Sequence, residues 1–236
     1  MTEKELQFDR KKHVCYSREM KKVMLEHLHR HYSNEQSEII WEDFQNTYVE
    51  FLKDLPDLGG NKSQHNGAGG TYDSISLFAY YKACPDKPDL NELNEMILEV
   101  CLPPFKKLGK LFNVNKPFTR YLLRLAFKIT AKGSSESESI YPNYIMEVAD
   151  KEDKSVSYCF KRCPIAEFAK QHGYTYLMPA ICNGDYPLFE ALHGTLIRKS
   201  TCANGDICDY RIIGDNNPEI KNHQRKTDGS GYWYNE

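Results

Sequence analysis

The chain has 236 residues, 40% of them hydrophobic and 12% aromatic, enough for one large packed domain or two small ones. Its 31 basic and 33 acidic residues leave a formal net charge of -2, which argues against a nucleic-acid partner. The charged start MTEKELQFDRKKH lacks a signal-peptide core, and no apolar run approaches the roughly 18 residues of a membrane span, so the expectation is a cytoplasmic chain with no membrane partner.

The first half reads as helices. Met20, Met24 and Leu28 recur at four-residue spacing, and Ser33 to Gln36 offers a capping box for a second helix through Ile40, Phe44, Tyr48 and Leu52. His27 and His31 stand at i and i+4, a spacing from which two imidazoles can share a metal. No carboxylate partner is legible beside them, and they read as surface histidines. The stretch 57–70, DLGGNKSQHNGAGG, is too rich in Gly, Asn and Ser for a regular element and reads as a long loop. Its glycines match neither the P-loop nor the dinucleotide fingerprint.

Beyond the loop, a helix is expected over Thr71 to Lys82 with Ile75, Phe78 and Ala79 inward. Asp89 caps another bearing Leu93, Ile97, Val100 and Cys101, which Pro103-Pro104 should stop. Pro117 suits the first turn of the next, running through Leu122, Leu125, Ala126 and Ile129 to Gly133. GSSESES then breaks the composition, which predicts a helical region over 1–132, an α+β region over 140–213 sharing one cavity with it, and a polar, loosely ordered tail over 214–236.

After the break the periodicity changes to two. Tyr144 to Ala149 and Ser155 to Arg162 flank a charged turn and read as a hairpin. CPIAEFAKQHG follows, a helix with Pro164 at its first position and Gly173 past its end, which places Cys163 at the N-cap. A thiol there sits at the positive end of the helix dipole, so its pKa should fall, with Glu167 one turn along as a proton partner. Cys182 precedes a turn, and Asp185 is the expected N-cap of a helix ending at Gly194. A last hairpin pairs Thr195 to Thr201 with Ile207 to Ile213 around Asn204-Gly205. In its second strand Cys208, Tyr210 and Ile212 share one face, while Asp209 and Arg211 share the other and can pair with each other.

The order β-β-α-α-β-β predicts the α+β class: a helical N-terminal half with a mainly antiparallel sheet covered by helices. Five of the eight cysteines lie in the second half, and without a secretion signal they read as reduced thiols. A pocket lined by Cys163, Cys182 and Cys208 uses them together. With a carboxylate those three would also make an acceptable zinc set, although none stands in a C-x-x-C spacing.

LPDLGGNKS, CPIAEFA, MPAICNGDYPLFEAL and the closing T-x-A-x-G-x-x-C-D-Y-R-I run from Thr201 to Ile212 resemble the L-2-amino-thiazoline-4-carboxylic acid hydrolase family, over about residues 15 to 213. Tyr210 stands where that family usually has phenylalanine. The resemblance implies hydrolytic opening of a thiazoline ring to an N-carbamoyl cysteine. That chemistry needs a nucleophile at the amidine carbon, an acid-base group and an anchor for the substrate carboxylate. The candidates are Cys208 as nucleophile or metal ligand, Cys163 as second thiol, Glu167 as general base and Asp185 as another base. Gly59, Gly60, Asn61 and Lys62 would hold the carboxylate, with Cys182, Asp209 and Arg211 also in contact with substrate. No cofactor is required, zinc being an option, and oligomeric state is open. Two other readings stand beside it: a non-catalytic small-molecule-binding or sensor module, and a thiol-dependent lyase acting on carbon bonded to a soft metal.

Overall fold

Local capping decides where the first helices start. In the computed structural model, which describes residues 6–58, 60, 69–135, 144–149 and 154–236, helix α1 (Arg18–His31) is capped by the Ser17 side chain. Helix α2 (Asn34–Asp54) opens on the expected reciprocal box between Ser33 and Gln36. Helix α3 (Gly69–Ala83) buries Ile75, Phe78 and Ala79, and α4 (Leu90–Gly109) buries Leu93 and Ile97. None of the described helices is long and apolar enough to cross a membrane.

The chain divides into two compact units, one up to Val100 and the other from Cys101 on, and the division runs through α4. The first unit is built on α1, α2 and α3, with Met20, Met24, Leu28, Phe44, Tyr48, Tyr72 and Tyr80 fully buried. Side chains of this size contribute roughly 1.5–3 kcal/mol each when removed from water. His27 belongs to this interior at 5% exposure, so it is not the surface histidine that its helix position suggested.

The second unit carries a four-stranded antiparallel sheet in the order β1-β2-β4-β3, formed by β1 (Ile145–Val148), β2 (Ser155–Arg162), β3 (Gly194–Ile197) and β4 (Cys208–Gly214). Between β2 and β3 run α6 (Pro164–His172), a 3-10 turn, α7 (Met178–Cys182) and α8 (Asp185–Glu190), which gives the expected α+β unit. Helix α5 (Pro117–Ser135) packs on β1 and β2, where Phe127 lies 4.2 Å from Tyr158 between ring centroids. Gly173 closes α6 in the left-handed region at φ 74°, as a glycine past a helix end should.

Several local expectations give way to packing. Helix α4 runs through Pro103 and Pro104 to Gly109. The turn beyond the prolines is held by a close backbone approach, since a Cβ at Gly109 would lie 1.8 Å from the Ala191 carbonyl oxygen. Helix α5 turns Thr119 and Arg124 inward and leaves Phe118, Tyr121, Leu125 and Ile129 exposed, because the Arg124 guanidinium donates to the Ser155 carbonyl at 2.8 Å. The β3–β4 pairing stops at Ile197 opposite Arg211, short of the expected Thr201, while the chain does turn at Asn204-Gly205, where the Gly205 N–H donates to the Thr201 carbonyl. Residues beyond 214 are anchored rather than loose: β5 (Lys226–Thr227) pairs with β6 (Trp233–Tyr234), and the Asn235 side chain is buried.

Candidate functional site

The alternation of β4 delivers Cys208 and Tyr210 to the helix-covered face. Tyr210 stacks on Tyr158 of β2, its register partner, at 4.5 Å and 8° between rings, and Phe160 stands opposite Cys208. The Tyr210 hydroxyl donates to Asp185 Oδ2 at 2.7 Å, and Arg198 donates to the same oxygen at 2.7 Å. Asp185 therefore does not cap α8. It is the first residue of the helix, Gly184 holds the cap position, and the carboxylate turns to the buried arginine, a charge with no other place to go.

Arg198 is 1% exposed and is held from three directions. A second guanidinium nitrogen donates to the Cys182 carbonyl at 2.9 Å. Its plane lies over Tyr186 at 4.9 Å and Tyr210 at 5.8 Å. Its backbone N–H donates to Asn235 Oδ1 at 2.9 Å, while Asn235 Nδ2 donates to the Leu196 carbonyl at 2.8 Å. Arg198 Nε is a buried donor with no hydrogen-bond partner among the described residues. Burial works against the charge on Arg198, but Asp185 and the neighbouring tyrosines raise its pKa above the ordinary arginine value. Burial lifts Asp185 above the usual carboxylate range, with Arg198 and Tyr210 pulling the other way. The Asp185 side chain is 30% exposed.

The thiols gather beside this pair. Cys208 Sγ accepts the Cys202 backbone N–H at 2.9 Å, and Cys202 Sγ donates to the Phe160 carbonyl at 3.3 Å. The Cys208 side chain and backbone pull the pKa of Cys202 down against its burial. The Cys202 side chain, with burial, pushes Cys208 up. Burial pushes Cys163 up to about 12, and Cys182 likewise to about 12. Cys163 does occupy the N-cap of α6, but its expected low pKa fails because loss of water outweighs the bonds from the first turn of the helix. Cys163 and Cys182 both act electrostatically on Cys208, so the three expected thiols share one neighbourhood.

Other candidates lie elsewhere. Glu167 is exposed and held by Arg162 through two bonds of 2.8 and 3.0 Å, and it acts electrostatically on Cys202. Asp209 does not pair with Arg211. Its two oxygens accept the backbone N–H groups of Lys199 and Ser200 at 2.9 and 2.8 Å, and Arg211 makes a two-bond pair with Glu219. Asp209 thus shapes the loop that carries Cys202. Thr201 joins in, its N–H and hydroxyl both donating to Asn204 Oδ1. Gly59, Asn61 and Lys62 lie outside the described residues. Gly60 is described at φ 52°, and its N–H donates to the Lys12 carbonyl at 2.9 Å instead of standing open for a carboxylate. The donor atoms of Cys163, Cys182 and Cys208 do not all lie within 4.8 Å of one another, a spacing that is met among the described residues by His27, His31 and Glu92.

Cys202, Arg198, Tyr210 and Asn235 were not legible as site residues. Arg198 carried the one available signal, a charge directly after the apolar strand residues Leu196 and Ile197.

A family model described as L-2-amino-thiazoline-4-carboxylic acid hydrolase matches residues 76–212, a span that holds every thiol and charge of this cluster and leaves the Asn235 anchor and the LPDLGGNKS segment outside. No curated protein and no solved structure matches the chain.

Proposed function

The chain belongs to the L-2-amino-thiazoline-4-carboxylic acid hydrolase family, and on that premise we propose that it opens a small cyclic amidine of the 2-amino-thiazoline-4-carboxylate type to an N-carbamoyl cysteine. The observation that carries the reading is the adjacent Cys202–Cys208 pair, in which the Cys208 thiol and backbone favour ionisation of Cys202.

In this reading the Cys202 thiolate adds to the amidine carbon between sulfur and nitrogen. The ring carbon–sulfur bond breaks, and the leaving thiolate takes a proton. Water then adds to the same carbon, giving up a proton to Asp185, and the enzyme sulfur leaves as the thiolate. Cys208 keeps its proton and donates it in a hydrogen bond to the Cys202 sulfur. Asp185 suits the acid-base role because burial lifts its pKa toward the working range and part of its carboxylate is open to solvent.

A non-catalytic binding module draws support from Cys163 and Cys182, which burial keeps protonated. Thiol release from the thiazoline carboxylate separates the two readings. The enzyme reading expects Cys202→Ser to lose turnover while the far-ultraviolet spectrum and melting curve keep their shape. Full turnover in that variant, or none in the native chain, overturns it.

A further inference from the structure

A second polar cluster, independent of the thiols, lies in the first unit. His27 and His31 sit one turn apart on α1 with their rings stacked at 4.4 Å. Glu92 belongs to the first turn of α4, where a capping box fixes it. Its Oε2 accepts the Asp89 N–H at 2.8 Å, and Asp89 Oδ1 accepts the Asn91 and Glu92 N–H groups at 2.7 and 2.9 Å. The other oxygen, Oε1, lies 3.9 Å from the Nε2 of both histidines. All three donor atoms fall within 4.8 Å of one another.

The hydrogen-bond pattern around His27 shows what is missing. The Tyr80 hydroxyl lies 2.8 Å from His27 Nδ1 and 3.3 Å from the Met24 carbonyl; with its proton given to the carbonyl, its oxygen accepts the Nδ1–H of His27. The lone pair of the neutral ring is then on Nε2. Nε2 is buried and has no hydrogen-bond partner among the described residues. What faces it is a carboxylate oxygen, a second acceptor, too distant to bond. Two acceptors turned toward each other in a 95%-buried histidine's surroundings call for a cation between them.

We propose that His27, His31 and Glu92 bind one divalent transition-metal ion of the zinc class, with water completing the coordination on the solvent side. Two imidazole nitrogens and one carboxylate oxygen make a donor set that such ions take with an open position left over. An ion at about 2.0–2.1 Å from each donor holds tetrahedral neighbours roughly 3.3 Å apart, so the 3.9 Å spacings close by a few tenths of an ångström. His31 and Glu92, 47% and 38% exposed, have the freedom to make that move, and their exposure gives the ion its entry. The Tyr80 hydroxyl on Nδ1 fixes the ring in the liganding tautomer. His27 and His31 precede Ser76, where the family match begins, whereas Glu92 lies within it.

Cobalt(II) titration of the full chain tests the proposal, because its absorption distinguishes nitrogen and oxygen ligands from thiolates. One equivalent should bind with weak visible bands and no strong sulfur charge-transfer band, zinc should displace it, and zinc should raise the melting temperature. His31→Ala, at an exposed position, and Glu92→Gln should lose the bands and the zinc-induced rise. Glu92→Gln retains a cap acceptor, so its loss of binding reads on coordination. No cobalt uptake, uptake through thiolates alone, or equal uptake by the native chain and both variants would overturn the proposal.

Discussion

The two units bury polar groups by opposite means. The first surrounds its tyrosines and His27 with aliphatic and aromatic packing, typified by Tyr16 against Trp41, Phe44 and Tyr48. The second brings together an opposite pair of charges, Asp185 and Arg198, and ties it to Tyr210, Cys182 and Asn235. Aromatic packing tolerates loss of one contact in proportion to the area removed. A buried ion pair is all or nothing, because losing one partner leaves a charge without a counter-charge.

That contrast can be broken by mutation. Arg198→Met should destabilise the chain by about 3–5 kcal/mol in denaturant unfolding, and Asp185→Leu added to it should recover much of the loss. An additive double variant would show that the pair is not a unit. In the first unit, Phe44→Ala should cost about 3–5 kcal/mol through lost burial and cavity formation, with the rate of Cys202 alkylation unchanged. Asn235→Ala should cost about 1–3 kcal/mol, because the Arg198 N–H and the Leu196 carbonyl lose their partner.

Smaller effects sharpen the site itself. Alkylation of Cys202 should rise with pH to a midpoint below that of an ordinary thiol, since only the thiolate reacts. Cys208→Ala removes the donor that stabilises that thiolate, so the midpoint should move upward; a downward shift or none would show that the hydrogen bond does not set it. Glu167→Gln breaks an exposed pair and should change stability by less than about 1 kcal/mol with turnover intact. A large loss of turnover there would return Glu167 to the site.

The capping box at Ser33, the proline and glycine bracketing α6, and the alternation of β2 and β4 were all legible, because each is a signal within a few residues. The same alternation separated Cys208 from Asp209 correctly. What the reading missed lies in choice of partner. Asp209 and Arg211 share a face and have opposite charge, yet the loop amides at 199 and 200 and the carboxylate of Glu219 claim them first. Glu167 sits one turn along α6 from Cys163, and a strand residue, Arg162, takes it. His27 lacked a visible carboxylate because Glu92 is far from it in sequence and reaches it from another helix.

By itself, then, the sequence determined the helices, the β-β-α-α-β-β order and the face on which Cys208 stands. These follow from periodicity, caps and turn residues, whose energies act between neighbours along the chain. Tertiary structure alone decided that Cys202 stands against Cys208, that Asp185 pairs with Arg198, and that Asn235 holds that arginine's backbone from a distant part of the chain. Burial sets those outcomes, because removal from water makes each polar group depend on whichever partner the folded chain brings within reach.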